Sequence, residues 1–113
     1  MQIPKPTEVD KERFRVLVPD GPGIEVKPMF GNLGAFVNGN MFMGLFGAAI
    51  GVKLDEPDRH ALLTDGGGPF GPEERPMTGY VTLPEGWGPA DAEPWVALAL
   101  QFVGALPPKK KKG

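Results

Sequence analysis

Apolar residues recur at every second position in five segments of the chain, a spacing that is typical of β-strands. The predicted strands are Ile24–Phe30, the two arms on either side of Asn38–Gly39, Ala49–Leu54 and Thr78–Leu83. Pro28 cannot donate a ladder hydrogen bond, so the first strand is predicted either to lie at an edge of its sheet or to have its pairing interrupted at Pro28. The glycine-rich segment Asp65–Pro72 predicts a loop.

Three further segments have the apolar spacing of helices. The predicted helices are Thr7–Val18, Pro57–Thr64 and Asp91–Leu106. Thr7 and Asp10 occupy the positions of a capping box, Pro57 suits a first helical turn, and Asp91 is predicted as the N-cap of the longest helix. That helix has one continuous apolar stripe, formed by Trp95, Leu98, Ala99, Phe102, Val103 and Leu106.

The order of these elements is αββββαβα. It predicts an α+β fold of two layers, in which the helices pack on an antiparallel sheet of about five strands. With 113 residues, the chain fits one domain, which we place at residues 1–106. Residues 107–113 follow as a basic tail.

The stretch Pro28–Gly47 contains no charged residue and is rich in phenylalanine and methionine. Asn38–Gly39 favours a type I′ turn between two strands, because both residue types tolerate positive φ. Regular alternation then gives one face the side chains of Phe36, Met41, Met43 and Leu45. It gives the other face those of Leu33, Ala35, Val37, Phe42 and Phe46.

Both faces of this predicted hairpin are therefore apolar, although helices on one side of a sheet cover only one of them. We expect the first set, Phe36, Met41, Met43 and Leu45, to form an interface with a second copy of the chain or with another protein. The alternative is a pocket of methionine and phenylalanine side chains that binds a small apolar ligand.

The composition argues against most enzyme classes. The chain has neither cysteine nor serine, and His60 is its only histidine, so no covalent nucleophile of the common kinds and no typical zinc site can be assembled. The acidic pairs Asp55/Glu56 and Glu73/Glu74 are neighbours in sequence and not a converging acid–base couple. We therefore expect no catalytic residue, no metal and no cofactor.

Charge and targeting signals favour a cytoplasmic protein. The net charge of −2 gives no general attraction to nucleic acid or membranes, and the absence of cysteine is consistent with a reducing compartment. The continuous apolar run Met41–Val52 is too short to span a bilayer, and we expect no membrane association. The candidate anion contacts are Lys53, Lys109, Lys110, Lys111 and Lys112. The four tail lysines either stay solvated or add weakly to nucleic-acid binding.

Several short segments, in this order and spacing, resemble the N-terminal domain of the TfoX/Sxy competence regulators. They are Lys27–Gly31, Gly34–Phe42, Val52–Lys53, Pro69–Phe70 and Tyr80–Pro84. The resemblance implies a small two-layer domain of the secretion-chaperone-like type. Full-length members regulate natural transformation in bacteria, act with a cyclic-AMP-responsive activator and carry a second, C-terminal domain. We expect this chain to be a stand-alone N-terminal-like domain that acts through protein contacts and is not an enzyme.

Overall fold

The computed structural model describes residues 4–29, 31–72 and 74–108. Within these residues the elements are α1 (Glu8–Leu17), β1 (Ile24–Met29), β2 (Asn32–Val37), β3 (Asn40–Phe46), β4 (Ala49–Lys53), α2 (Glu56–Thr64), β5 (Gly68–Pro69), β6 (Tyr80–Thr82) and α3 (Pro89–Gly104). The strands form one antiparallel sheet in the order β1-β2-β3-β4-β6-β5. The α+β class is confirmed, and β1 lies at an edge as Pro28 predicted. The two-residue β5 is an addition, because it lies in the segment predicted as loop.

The helix starts follow local capping chemistry. The capping box of α1 is confirmed, since the Asp10 N–H donates to Thr7 Oγ1 at 3.1 Å and the Thr7 N–H donates to the Asp10 carboxylate at 2.9 Å. The predicted N-cap of α3 is wrong by three residues, because Gly88 holds that position. Asp91 instead accepts a hydrogen bond from the Gly88 N–H at 3.1 Å, which still satisfies a free donor of the first turn.

The core lies between the helices and one face of the sheet. Its fully buried side chains include Phe14 of α1, Phe42 and Met43 of β3, and Leu54 and Leu62 on either side of the start of α2. The buried line of α3 consists of Ala92, Val96, Ala99 and Val103. Of the predicted stripe, Ala99 and Val103 are confirmed as part of this buried line. The other members, Trp95, Leu98, Phe102 and Leu106, flank the line and are half-buried.

The hairpin turn between β2 and β3 is as predicted. Asn38 and Gly39 have φ of 52° and 86°, and their neighbours pair as Val37 with Asn40 and Phe36 with Met41. Immediately beyond, a β-bulge adds Phe42 to β3, so that Ala35 pairs with Met43 and not with a residue one position earlier. The predicted pairing of Gly34 with Met43 is wrong for this reason, and Gly34 lies opposite Gly44.

The bulge reverses which face each later residue of β3 occupies, because a shift of one residue moves a side chain to the other side of a sheet. Met43 and Leu45 point into the core, where they are 0% and 3% exposed. Phe46, predicted to share a face with Phe42, lies on the opposite face. The four-residue face predicted as an interface therefore does not exist as one surface. No helix in the described ranges is long and apolar enough to cross a membrane.

A candidate interaction groove on the outer face of the sheet

Three glycines lie side by side on the face of the sheet that the helices do not cover, which we call the outer face. Gly34 of β2 pairs with Gly44 of β3, and Gly44 pairs with Gly51 of β4. This glycine row has no side chains of its own, so other groups can approach the backbone closely.

Phe70 covers two members of the glycine row. Its side chain is 3% exposed, and a Cβ added at Gly51 would overlap its ring. At Gly44 an added Cβ would lie 3.2 Å from Phe70 Cζ. The ring also contacts Phe46 edge-on, with centroids 6.3 Å apart, and Tyr80 at 5.8 Å. Residues 70–72 and 74–79, which we call the covering loop, therefore seal this part of the outer face.

The start of the covering loop is held by hydrogen bonds. Thr82 Oγ1 donates to the Pro69 carbonyl at 2.8 Å, and the Met77 N–H donates to the Phe70 carbonyl at 2.8 Å. These contacts fix Phe70 over the glycine row. Met77 is thereby placed beside the ring.

An apolar groove of about 260 Å³ runs between the covering loop and the Gly34 end of the row. Its main lining side chains are Met29, Met41, Phe46, Phe70, Pro72 and Met77. The sulfurs of Met29 and Met41 both lie 2.9 Å from the position that a Gly34 Cβ would take. Three of the five methionines in the chain thus meet in one groove, where flexible thioethers adapt to different apolar shapes.

The polar groups beside the groove are already paired. Asn32, which lines it, donates from Nδ2 to the Pro4 carbonyl at 3.1 Å and accepts at Oδ1 from the Gly47 N–H at 2.8 Å. The Tyr80 hydroxyl donates to the Met41 carbonyl at 3.0 Å, beyond the point where the β3–β4 ladder ends at Met43 and Val52. The groove is therefore suited to apolar side chains.

Burial raises the pKa of Tyr80 to about 12. The phenol stays protonated at neutral pH and donates its hydrogen bond throughout. Because a protonated phenol cannot accept a proton at the same oxygen, Tyr80 is a structural donor and not a general base.

Two lysines lie on the outer face near aromatic rings. The Lys27 ammonium is 5.3 Å from the centroid of Phe36, and the Lys53 ammonium is 5.8 Å from the centroid of Tyr80. Lys27 also pairs with Glu25 at 3.6 Å. Of the candidate anion contacts, Lys53 lies on this face; Lys109, Lys110, Lys111 and Lys112 lie outside the described residues.

The four residues of the candidate interface lie on two different faces of the sheet. Phe36 and Met41 are half-buried on the outer face, whereas Met43 and Leu45 lie in the core. Sequence reasoning missed Met29, Phe70 and Met77, which reach the groove from a neighbouring strand and from the covering loop. The available signal was the recurrence of glycine at Gly34, Gly44 and Gly51 in three successive strands, which leaves space above the sheet.

Other parts of the described chain offer less defined chemistry. Within them there is no group of three His, Cys, Asp or Glu side chains that could hold a metal ion, and His60 is exposed on α2. A larger cleft of about 480 Å³ lies between α1, the start of α3 and the β6 end of the sheet. Its charged side chains, Arg13 and Glu85, are both exposed to water.

The fold and the groove define a small α+β domain with an apolar groove on the outer face of its sheet. Residues 17–103 match the TfoX N-terminal domain family. Since the match covers most of the chain, the protein belongs to this family, which is not a known enzyme family. No curated protein sequence matches the chain.

Proposed function

We propose that this chain is a non-enzymatic regulatory domain that works in the cytoplasm through protein contacts, with the outer-face groove as its contact surface. The observation that supports the proposal best is the composition of the groove. It combines three methionines with aromatic side chains, and its neighbouring polar groups, Asn32 and Tyr80, already have partners. Adaptable apolar surfaces of this kind are used in protein recognition.

Membership of the TfoX N-terminal domain family supports a regulatory role for this chain. The resemblance to competence regulators points to natural transformation in bacteria, in which the N-terminal domain would contribute a protein contact. The matched residues 17–103 include every strand that builds the groove. The groove is therefore part of the family domain itself.

Affinity capture from the native cell tests the proposal. We would compare the unchanged protein with a double variant, Met29→Gln and Met77→Gln, which keeps side-chain length but makes the groove polar. Val16→Gln on α1 is the matched control, because Val16 is 63% exposed and lies on the helix side. We expect the double variant to lose partners that the control retains. An identical set of captured proteins for all three would refute the groove as the contact surface.

In a second form of this proposal, the groove contacts another copy of the same chain instead of a different protein. Of the four residues predicted as an interface, Phe36 and Met41 lie half-buried on the outer face. A two-fold contact through them would cover the part of the face that Phe70 leaves open. The oligomeric state in solution separates this form from a contact with a different protein.

A small apolar ligand is the alternative function, and it is favoured by one observation. The groove is bounded on one side by the covering loop and on the other by the sheet, so it has the concave shape of a ligand site. Native mass spectrometry of protein taken directly from cells tests this. Added mass that the double variant Met29→Gln and Met77→Gln loses would support the ligand, and the bare chain mass would exclude it.

A further inference from the structure

We propose that the groove takes a short segment of a partner protein in which apolar side chains are flanked by acidic residues. The apolar side chains lie in the groove, and the carboxylates contact Lys27 and Lys53. This inference rests on the proposed function and specifies the chemistry of its partner.

The charges of the sheet support an acidic partner. The strands contain three charged residues, Glu25, Lys27 and Lys53. All three lie on the outer face, because they pair with Phe36, Gly34 and Tyr80 of that face. The strands therefore give the outer face a charge of +1, and the described residues of the covering loop add Glu74 and Arg75, whose charges balance.

The two lysines lie on the outer face outside the lining of the groove, Lys27 on β1 and Lys53 on β4. Lys27 lies on β1 beside Gly34, where Met29 and Met41 meet, and Lys53 lies on β4 beside Tyr80, which contacts Phe70. Lys27 is partly compensated by Glu25, and its side chain is 50% exposed. Within the described residues, no carboxylate lies within ion-pair distance of Lys53. Charges at the rim of an apolar surface select partners of opposite charge and speed their association.

The shape of the surface favours a segment of another protein over a second copy. A two-fold contact centred on the groove would set two concave surfaces against each other and enclose a void. Voids forfeit dispersion contacts, whereas a protruding peptide segment fills a groove. The volume of about 260 Å³ is suited to a few side chains and not to a whole domain surface.

Two synthetic octapeptides test the inference on the full chain. Both have a core of two leucines and two phenylalanines; one is flanked by two aspartates at each end and the other by two lysines. Binding is followed by the amide NMR signals of Gly34, Met41, Gly44 and Met77. We expect the acidic peptide to shift these signals and to bind at least fivefold more tightly than the basic one, with a difference that shrinks at high salt.

Charge-reversal variants locate the contact. Lys27→Glu and Lys53→Glu should each weaken the acidic peptide by roughly threefold to fivefold, the range expected for one exposed ion pair. Arg15→Glu is the matched control, because Arg15 is an exposed cation on α1 at the other side of the domain. It should leave the affinity unchanged.

Three results would overturn the inference: equal affinity for both peptides, no binding of the acidic peptide at millimolar concentration, or a dimer that Met77→Gln dissociates. Capture from cells separates its failure from that of the proposed function. If Met29→Gln with Met77→Gln removes a partner that both charge reversals retain, the contact surface stands and the acidic partner is wrong. If none of these variants changes the captured set, both fail.

Discussion

At the scale of single residues, Tyr80 links strand β3 to the covering loop on the outer face. Its hydroxyl donates to the Met41 carbonyl at 3.0 Å, and its ring contacts Phe70 of the covering loop. Since the β3–β4 ladder ends at Met43 and Val52, this hydroxyl supplies the partner that a strand would otherwise provide.

The ionisation of Tyr80 gives a prediction that can be read without mutation, because the chain has one tyrosine. Its folded pKa is raised to about 12 from 10.0, so the folded state keeps a proton that the unfolded state releases. Stability is therefore unaffected by this group below the unfolded pKa and falls as the pH rises from 10 towards 12, by on the order of 2–3 kcal/mol in total. Ultraviolet absorbance of tyrosinate, titrated with and without urea, measures both pKa values. Equal values would refute the burial of this phenol.

Gly51 gives a second prediction at this scale. A Cβ there would overlap the Phe70 ring, so Gly51→Ala should displace Phe70 and lower the free energy of unfolding by about 1–3 kcal/mol. Gly68→Ala is the control, because nothing lies within 4 Å of its added Cβ. Urea titration measures both variants. Equal stability of the two would show that Phe70 does not lie on the glycine row.

At the scale of elements, the bulge in β3 decides the character of both sheet faces. A regular strand would turn Gly44 and Phe46 towards the core and Met43 and Leu45 towards the outer face. The bulge buries Met43 and Leu45 beside Phe42, and each large apolar side chain gains about 1.5–3 kcal/mol on burial. It also turns Gly44 outward, where Phe70 can lie on it.

The orientation of α3 gives a third prediction. Ala99 is fully buried against the core, whereas Ala97, two positions earlier on the same helix, is exposed. Ala99→Leu should overpack the core and lower the free energy of unfolding by about 1–3 kcal/mol, while Ala97→Leu should change it by less than about 0.5 kcal/mol. Urea titration measures the free energy of unfolding of both variants. Comparable losses in the two variants would contradict the buried line of α3.

For the whole molecule, the oligomeric state is the decisive property of the outer face. The expectation of a homodimer assumed four large apolar residues on one surface, and two of these, Met43 and Leu45, are buried in the core. Because Phe70 also covers Gly44 and Gly51 on the outer face, little apolar surface is left for a second copy. We therefore expect a monomer mass by light scattering behind size exclusion at low micromolar concentration. A dimer mass that Phe36→Ser reduces to the monomer would instead support the second copy as partner.

The sequence by itself determined the features that depend on neighbouring residues. The capping box of Thr7 and Asp10, the Asn38–Gly39 turn and the edge position of Pro28 each follow from local dihedral preferences and hydrogen bonding, which operate within a few residues. The α+β class and the family could also be predicted, because they rest on the order of elements along most of the chain.

Only the tertiary structure decided which surfaces these elements present. The bulge at Phe42, the rotation of α3 and the position of Phe70 on the glycine row all depend on contacts between residues far apart in sequence. Alternation along β3 is compatible with two registers, and the one adopted is favoured by burial of Met43 and Leu45 against the helices. This register places Gly34, Gly44 and Gly51 on the outer face, where they leave room above the sheet. Met29, Met41 and Met77, which lie far apart in sequence, line the groove that results.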